Sequence, residues 1–195
     1  MKYADLHVHT FYSDSTFSPE EVVACAKDRD LAAIAICDHD SVDGIEPCRV
    51  IGDKLGVEIV PGIELTVEKI DAEIHILGYF MDCNLGWFRS KLAELQNARI
   101  ERIHKMVEKL CSKGINIDAE DVFRISGKGT VGRLHLARAM LKTGKVKTMK
   151  EVFGKYIGFN KPCYVSSVKL TPHVAIDMIL KTGGDLFSLA FARIE

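Results

Sequence analysis

The 195-residue sequence contains no uninterrupted apolar run approaching the ~20 residues that a membrane-spanning helix needs, which excludes a helical membrane protein. Its first residues offer no apolar core for a secretory leader, because Asp5 and His7 break the run at once. The six cysteines (25, 37, 48, 83, 111 and 163) form no C-x-x-C pair and mostly sit among apolar neighbours. Reduced thiols in a cytoplasmic protein are therefore expected, and a disulfide framework is not. Neither G-x-S-x-G nor a P-loop is present, which disfavours covalent acyl chemistry and P-loop ATP binding. Internal repeats and low-complexity segments are also lacking.

What is there is a soluble composition, 47% hydrophobic and 27% charged, with room for one core and a small insertion. The net charge of −1 hides an asymmetry. Residues 1–89 hold 7 Lys/Arg against 17 Asp/Glu, whereas residues 90–163 hold 16 against 7. The acidic stretch suits cations and the basic stretch suits an anionic substrate such as a phosphate ester, and the placement of the charges must decide.

Residues 3–9 alternate like a short strand, and Ser18-Pro19-Glu20-Glu21 opens a helix with its cap, a proline and two acids. Residues 32–37 form a continuous apolar run, as in a strand buried on both faces. Residues 44–55 read as a helix closed by Gly56, and strands are expected over 57–64 and 73–80. This alternation predicts βαβ units and a parallel sheet. Beyond residue 84 the apolar positions 85, 88, 92, 95, 103, 106, 107 and 110 recur at helical spacing. Shorter helices are expected over 118–124, 131–142 and 148–157. The expected division is an α/β region over 1–83, a helical insertion over 84–160, and a return to the α/β region over 161–195. There Thr171-Pro172 opens a helix ending at Gly183-Gly184, and 187–191 forms another strand.

His7-x-His9 stands at the end of the first strand, where a period of two puts both imidazoles on one face. Asp14 follows five residues later, the second strand ends in Asp38-His39-Asp40, the third in Gly62-Ile63-Glu64, and the fourth carries His75. The carboxyl ends of parallel strands are where sites assemble in such folds. Burying His7, His9, Asp14, His39, Glu64 and His75 together without a cation would carry a large desolvation penalty. Nitrogen and oxygen donors without thiolates suit Zn²⁺, Mn²⁺ or Fe²⁺ without choosing among them. Six donors leave room for more than one ion, and the two oxygens of Glu64 could bridge a pair. Asp5, Asp38 and Asp40 are candidates to orient the imidazoles through their other ring nitrogen. His104 and His173 read as surface residues.

Asp5-Leu6-His7-Val8-His9-Thr10 with Ser13-Asp14, then Cys37-Asp38-His39-Asp40-Ser41, then Pro61-Gly62-Ile63-Glu64 resemble the motifs of the PHP (polymerase and histidinol phosphatase) family. Ala72-Glu73-Ile74-His75-Ile76-Leu77-Gly78-Tyr79 is similar to the branch of small phosphoesterases acting on nucleotides. The resemblance implies a distorted (β/α)7 barrel with a helical insertion. It also implies two or three divalent metal ions held by His7, His9, Asp14, His39, Glu64 and His75, with Glu64 bridging. The first five of these would form the catalytic centre. The implied reaction is hydrolysis of a phosphate monoester on a small substrate, a nucleotide, by a metal-activated water. Gly132-Arg133-Leu134-His135-Leu136-Ala137 and Phe153-Gly154-Lys155-Tyr156-Ile157 resemble the family's insertion, which caps the site and grips phosphate. On that basis Arg133, His135 and Lys155 are the expected substrate contacts. Arg99 and Arg102, one turn apart on the long helix, join them.

The sequence departs from the family after Gly183-Gly184, where Leu189-Ala190-Phe191-Ala192-Arg193 replaces a segment with a metal-binding His, and a later D-x-H pair is missing. The expectation is an incomplete barrel, truncated relative to the family. Alternatives are a metal-binding domain without turnover, a PHP-type 3′-5′ exonuclease acting on short oligonucleotides, and an amidohydrolase, which also opens with H-x-H. Asp14 and the D-H-D motif argue against the last. No membrane partner is expected.

Overall fold

The computed structural model describes residues 2–69, 72–166 and 170–190. Five strands form one sheet in the order β1 (Tyr3–Val8), β2 (Leu31–Ile36), β3 (Glu58–Lys69), β4 (Ala72–Tyr79) and β5 (Asp185–Ala190). The sheet curls into a half-barrel. α1 (Pro19–Asp28) and α2 (Ile45–Leu55) cross between β1, β2 and β3, which therefore run parallel. α1 begins where Ser18 and Glu21 cap each other reciprocally, and α2 ends on Gly56 in the left-handed region.

The parallel expectation fails at the fourth strand. β3 and β4 form an antiparallel hairpin, and β5 pairs antiparallel with β4. β3 also runs on to Lys69, so Glu64 lies within the strand and not at its end. His75 accordingly stands in the amino-terminal half of β4, opposite Thr66. A hairpin strand starts beside the end of its predecessor, so His75 reaches the rim served by β1 and β2 from the opposite chain direction. The Phe191 end of the expected last strand, with Ala192 and Arg193, lies outside the described residues.

The two faces of the sheet differ by side-chain size. Ile34 and Ile36 point to the layer of helices, whereas Ala33, Ala35 and Cys37 alternate onto the inner face with Val60, Leu77 and Tyr79. Small residues there let neighbouring strands curl together. A Cβ on Gly62 would stand 2.8 Å from Cys37 Sγ and 2.9 Å from the Ile36 carbonyl oxygen.

Residues beyond β4 build a second core. α3 (Gly86–Cys111) sends Phe88, Leu92 and Leu95 into the core of the sheet and Ile103, Met106 and Leu110 into a separate helical core. The latter is completed by α4 (Ala119–Ser126), α5 (Arg133–Lys142), α6 (Met149–Val152) and a π-helical turn over Phe153–Ile157. That turn replaces the last segment of the single helix expected over 148–157. α7 (Pro172–Lys181) returns to pack on the sheet, with the Ile179 side chain seated on Gly78.

The helical layer docks on the sheet's rim through backbone. The Thr130 N–H donates to the Tyr12 carbonyl at 2.9 Å, and an added Cβ on Gly129 would lie 2.2 Å from the Phe11 carbonyl oxygen. Gly129→Ala is expected to lose about 1–3 kcal/mol, since a backbone carbonyl cannot step aside as a flexible side chain can. Gly86→Ala, where a Cβ meets nothing within 4 Å, should leave the urea midpoint unchanged or raised. Urea denaturation of both variants checks this.

Candidate functional site

Backbone pairing at the rim sets the site. The Cys37 N–H donates to the Val8 carbonyl at 2.8 Å, tying the ends of β1 and β2 together. The Asp40 N–H donates to the Glu64 carbonyl at 3.0 Å, and His39 and Glu64 form a parallel bridge that continues the β2–β3 ladder. Asp40 takes φ +48, a turn that Asp tolerates better than most residues. His7 and His9, His39, Glu64, and His75 thus come from four adjacent segments onto one surface.

Glu64 is the centre of that surface and is 2% exposed. Its Oε2 lies 2.9 Å from His7 Nε2, 3.1 Å from His9 Nε2 and 3.6 Å from His39 Nδ1, while Oε1 lies 2.5 Å from His75 Nδ1. Asp14 Oδ2 stands 3.6 Å from His39 Nε2, and Oδ1 stands 3.9 Å from His9 Nδ1. Burial raises the Glu64 carboxyl, but contacts with His7, His75 and His9 override it and hold the group well below the usual carboxylate range. Burial likewise lowers His75, yet Glu64 and Glu73 win and push it up to about 9. Burial lifts the Cys37 thiol, which lies under Glu64, to about 12, so it is no nucleophile at neutral pH.

Three overlapping donor groups result: His7 with His9 and Glu64; His9 with Asp14 and His39; and His39 with Glu64 and His75. In each, the donor atoms lie within 4.8 Å of one another. His7 Nε2 and His9 Nε2 are 3.1 Å apart, and the His9 and His39 rings stack with centroids 4.9 Å apart. His39 Nδ1 is buried without a hydrogen-bond partner. Four imidazoles crowded on one carboxylate cannot all be satisfied by hydrogen bonds among themselves, and divalent cations fit this donor set.

The three aspartates proposed to orient imidazoles do other work. Asp38 is fully buried and accepts from the Thr10 N–H at 2.7 Å, the Thr10 hydroxyl at 2.7 Å and the Ser13 hydroxyl at 2.6 Å. It fixes the loop between His9 and Asp14, and reaches His9 only through Ser13 Oγ, 3.3 Å from Nδ1. Asp40 accepts from the Thr66 N–H and from Arg99 Nε. Asp5 accepts from the His7 backbone N–H.

A cavity of about 310 Å³ opens beside the donors. Asp14, His39 and His75 line one side and Arg99, Arg102 and Arg133 the other. Arg99 and Arg102 continue the 88–92–95 stripe of α3 at spacings of four and three, so two arginines occupy core positions where the helix passes from one core to the next. Arg99 donates to Asp40, to Thr66 Oγ1 at 2.7 Å and to the Val131 carbonyl. Arg102 donates to the Val165 carbonyl at 2.7 Å and to Glu73 Oε2 at 3.0 Å. Arg133 donates to Glu73 Oε1. Glu73 is a residue that sequence reasoning passed over, although its spacing of two from His75 puts both on one face of β4.

Two expected substrate residues stand elsewhere. Lys155 pairs with Glu151 on an exposed helical edge and does not line the cavity. His135 is 1% exposed, its Nδ1 accepts from the Gly132 N–H, and burial drives it down to about 4, so it is a neutral brace between α5 and the Ser13 loop. His104 and His173 are exposed.

The family model described as PHP domain matches residues 5–156. The 5′-3′ exoribonuclease Rnm of Escherichia coli is 34% identical over 182 residues, which are 92% of this chain and 62% of that protein. A 3′,5′-nucleoside bisphosphate phosphatase of Chromobacterium violaceum is 30% identical over 92% of this chain and 64% of its own length. A structure described as a metal-dependent phosphoesterase, from Bifidobacterium adolescentis, superposes with a TM-score of 0.87 at 28% identity, covering 95% of this chain and 65% of that one. The chain thus spans less than two thirds of the length of these relatives.

Proton linkage predicts that the metal-free protein is most stable near neutral pH. His75, raised from 6.5 to about 9, contributes stability that is complete below pH 6.5 and lost as pH rises through 9. His135, lowered from 6.5 to about 4, contributes stability that is present above pH 6.5 and lost as pH falls toward 4. Thermal midpoints of the metal-free protein from pH 4 to 9.5 should trace a dome, and Glu64→Gln should flatten its alkaline side.

Proposed function

The chain belongs to the PHP domain family, and from that premise we propose that it is a metal-dependent phosphoesterase that hydrolyses a phosphate monoester on a nucleotide. One observation carries the reading: Asp14, His39 and His75 of the donor set line the same cavity as three arginines, so a site for cations adjoins a site for an oxyanion. The names of the relatives, a nucleoside bisphosphate phosphatase and an exoribonuclease, support a nucleotide substrate. The cavity volume, at the low end of the ~300–1,000 Å³ typical of ligand sites, favours a single nucleotide. Residues 84–160 act in this reading as a cap over the site on the preceding strands, with α7 and β5 returning to the sheet.

His7, His9, Asp14, His39, Glu64 and His75 would hold two or three divalent ions (Mn, Zn or Fe), with Glu64 shared between them. Such ions supply neutralisation of phosphoryl oxygens and acidification of water. The chain's own residues do the rest. Asp38 clamps the Thr10–Ser13 turn and so sets the spacing of His9 and Asp14. The guanidinium of Arg133 offers forked N–H donors to phosphate oxygens, and Arg99 and Arg102 supply fixed positive charge at the same wall.

A second reading, release of nucleotides from the 5′ end of RNA, is favoured by the 34% identity to the exoribonuclease of E. coli. Loading the protein with Mn²⁺ or Zn²⁺ and assaying a nucleoside 3′,5′-bisphosphate beside a 5′-phosphorylated trinucleotide separates the two. Faster turnover of the mononucleotide is expected. The double variant His7→Ala, His9→Ala should lose at least ~10²-fold activity together with bound metal. Metal binding without turnover on either substrate would instead identify a domain that holds cations and lacks catalysis.

A further inference from the structure

Glu73 stands where the two halves of the cavity meet, and it touches both. Its carboxylate is 8% exposed. Oε2 accepts from Arg102, while Oε1 accepts from Arg133 and lies 3.8 Å from His75 Nε2. The opposite ring nitrogen of His75, Nδ1, lies 2.5 Å from Glu64 Oε1 in the donor set. The imidazole is therefore suspended between two carboxylates, one inside the donor set and one outside it.

The three arginines differ in how many donors they have committed. Arg99 spends its N–H groups on Asp40, Thr66 and Val131, and Arg102 on Val165 and Glu73. Arg133, among the described contacts, has Glu73 as its one hydrogen-bond partner, with the rings of Phe153 and Tyr164 6.0 and 5.5 Å from its guanidinium carbon. A guanidinium carries five N–H donors, so Arg133 is the member of the wall with the most donors to spare.

We propose that Glu73 is a positioning residue that couples cation binding to anion binding. This rests on the donor-set reading above. Toward His75 its negative charge, 3.8 Å from Nε2, favours the ring proton on that nitrogen and leaves the Nδ1 lone pair beside Glu64 for a cation. Toward Arg133 it is the resident counter-ion, which an incoming oxyanion must displace or share. The same negative charge thus aids the cation and opposes the anion.

That opposition gives a crossed signature that general damage cannot mimic. Zn²⁺ affinity is measured by competition with a chromogenic chelator, and inorganic phosphate affinity by calorimetry on the metal-free full chain. Glu73→Gln keeps the shape and removes the charge. It should weaken Zn²⁺ by ~10-fold or more and tighten phosphate by ~3-fold or more. Glu73→Asp keeps the charge and withdraws it from His75, so Zn²⁺ should weaken while phosphate stays near the wild-type value. Parallel loss of both affinities in Glu73→Gln, or an unchanged Zn²⁺ affinity, overturns the proposal. If the wild-type chain binds no divalent cation, the donor-set reading falls and takes this role with it. If the wild type binds Zn²⁺ and Glu73→Gln matches it, only the role of Glu73 falls.

Discussion

A single buried carboxylate organises this molecule. Glu64 sits within β3, almost sealed from water, and draws four imidazoles from three other segments. A bare carboxylate at such depth would carry a large penalty, and the surrounding nitrogen donors remove it. The curl of the sheet serves the same end, because small residues on β2 and Gly62 on β3 allow the strands to come close enough for the imidazoles to converge. On the neighbouring strand Asp38 has the complementary role, holding the loop that carries His9 and Asp14 by three hydrogen bonds.

The helical layer is joined to this centre by charge as much as by apolar contact. α3 begins in one core and ends in the other, and at the crossing the buried stripe changes from leucine to arginine. Each of those arginines is balanced by an acid from the sheet: Asp40 for Arg99 and Glu73 for Arg102. The excess of acid in the first half of the sequence and of base in the middle is thus partly an internal matching across the seam. Neither charge could be removed alone without leaving the other buried and unpaired.

Side-chain chemistry was legible in the sequence and chain direction was not. His7, His9, Asp14, His39, Glu64 and His75 announced themselves because six imidazole and carboxylate side chains clustered at and beside strand-like segments, and all six meet in the structure. The antiparallel course of β4 left no trace, since apolar alternation is the same whichever way a strand runs. Glu73 was missed for a related reason: an acid two residues before a histidine looks like an exposed position until its partners, 29 and 60 residues further along, are known. Lys155 shows the converse. Its motif surroundings suggested a ligand contact, but the π-helical turn aims it along the helix toward Glu151. Asp38 was placed correctly beside the histidines, while its actual partners, a backbone amide and two hydroxyls, could be seen only once the loop had closed.

The continuity of α3 bears on how rigidly the two cores are joined. A helix of 26 residues is a rod about 39 Å long, and both ends are anchored in packed interiors. The helical layer therefore has no hinge at this connection: swinging it away would require breaking the rod or tearing out one set of anchors. Arg99 and Arg102 stand on the rod itself, so the part of the cavity wall they form is fixed by the packing of both cores.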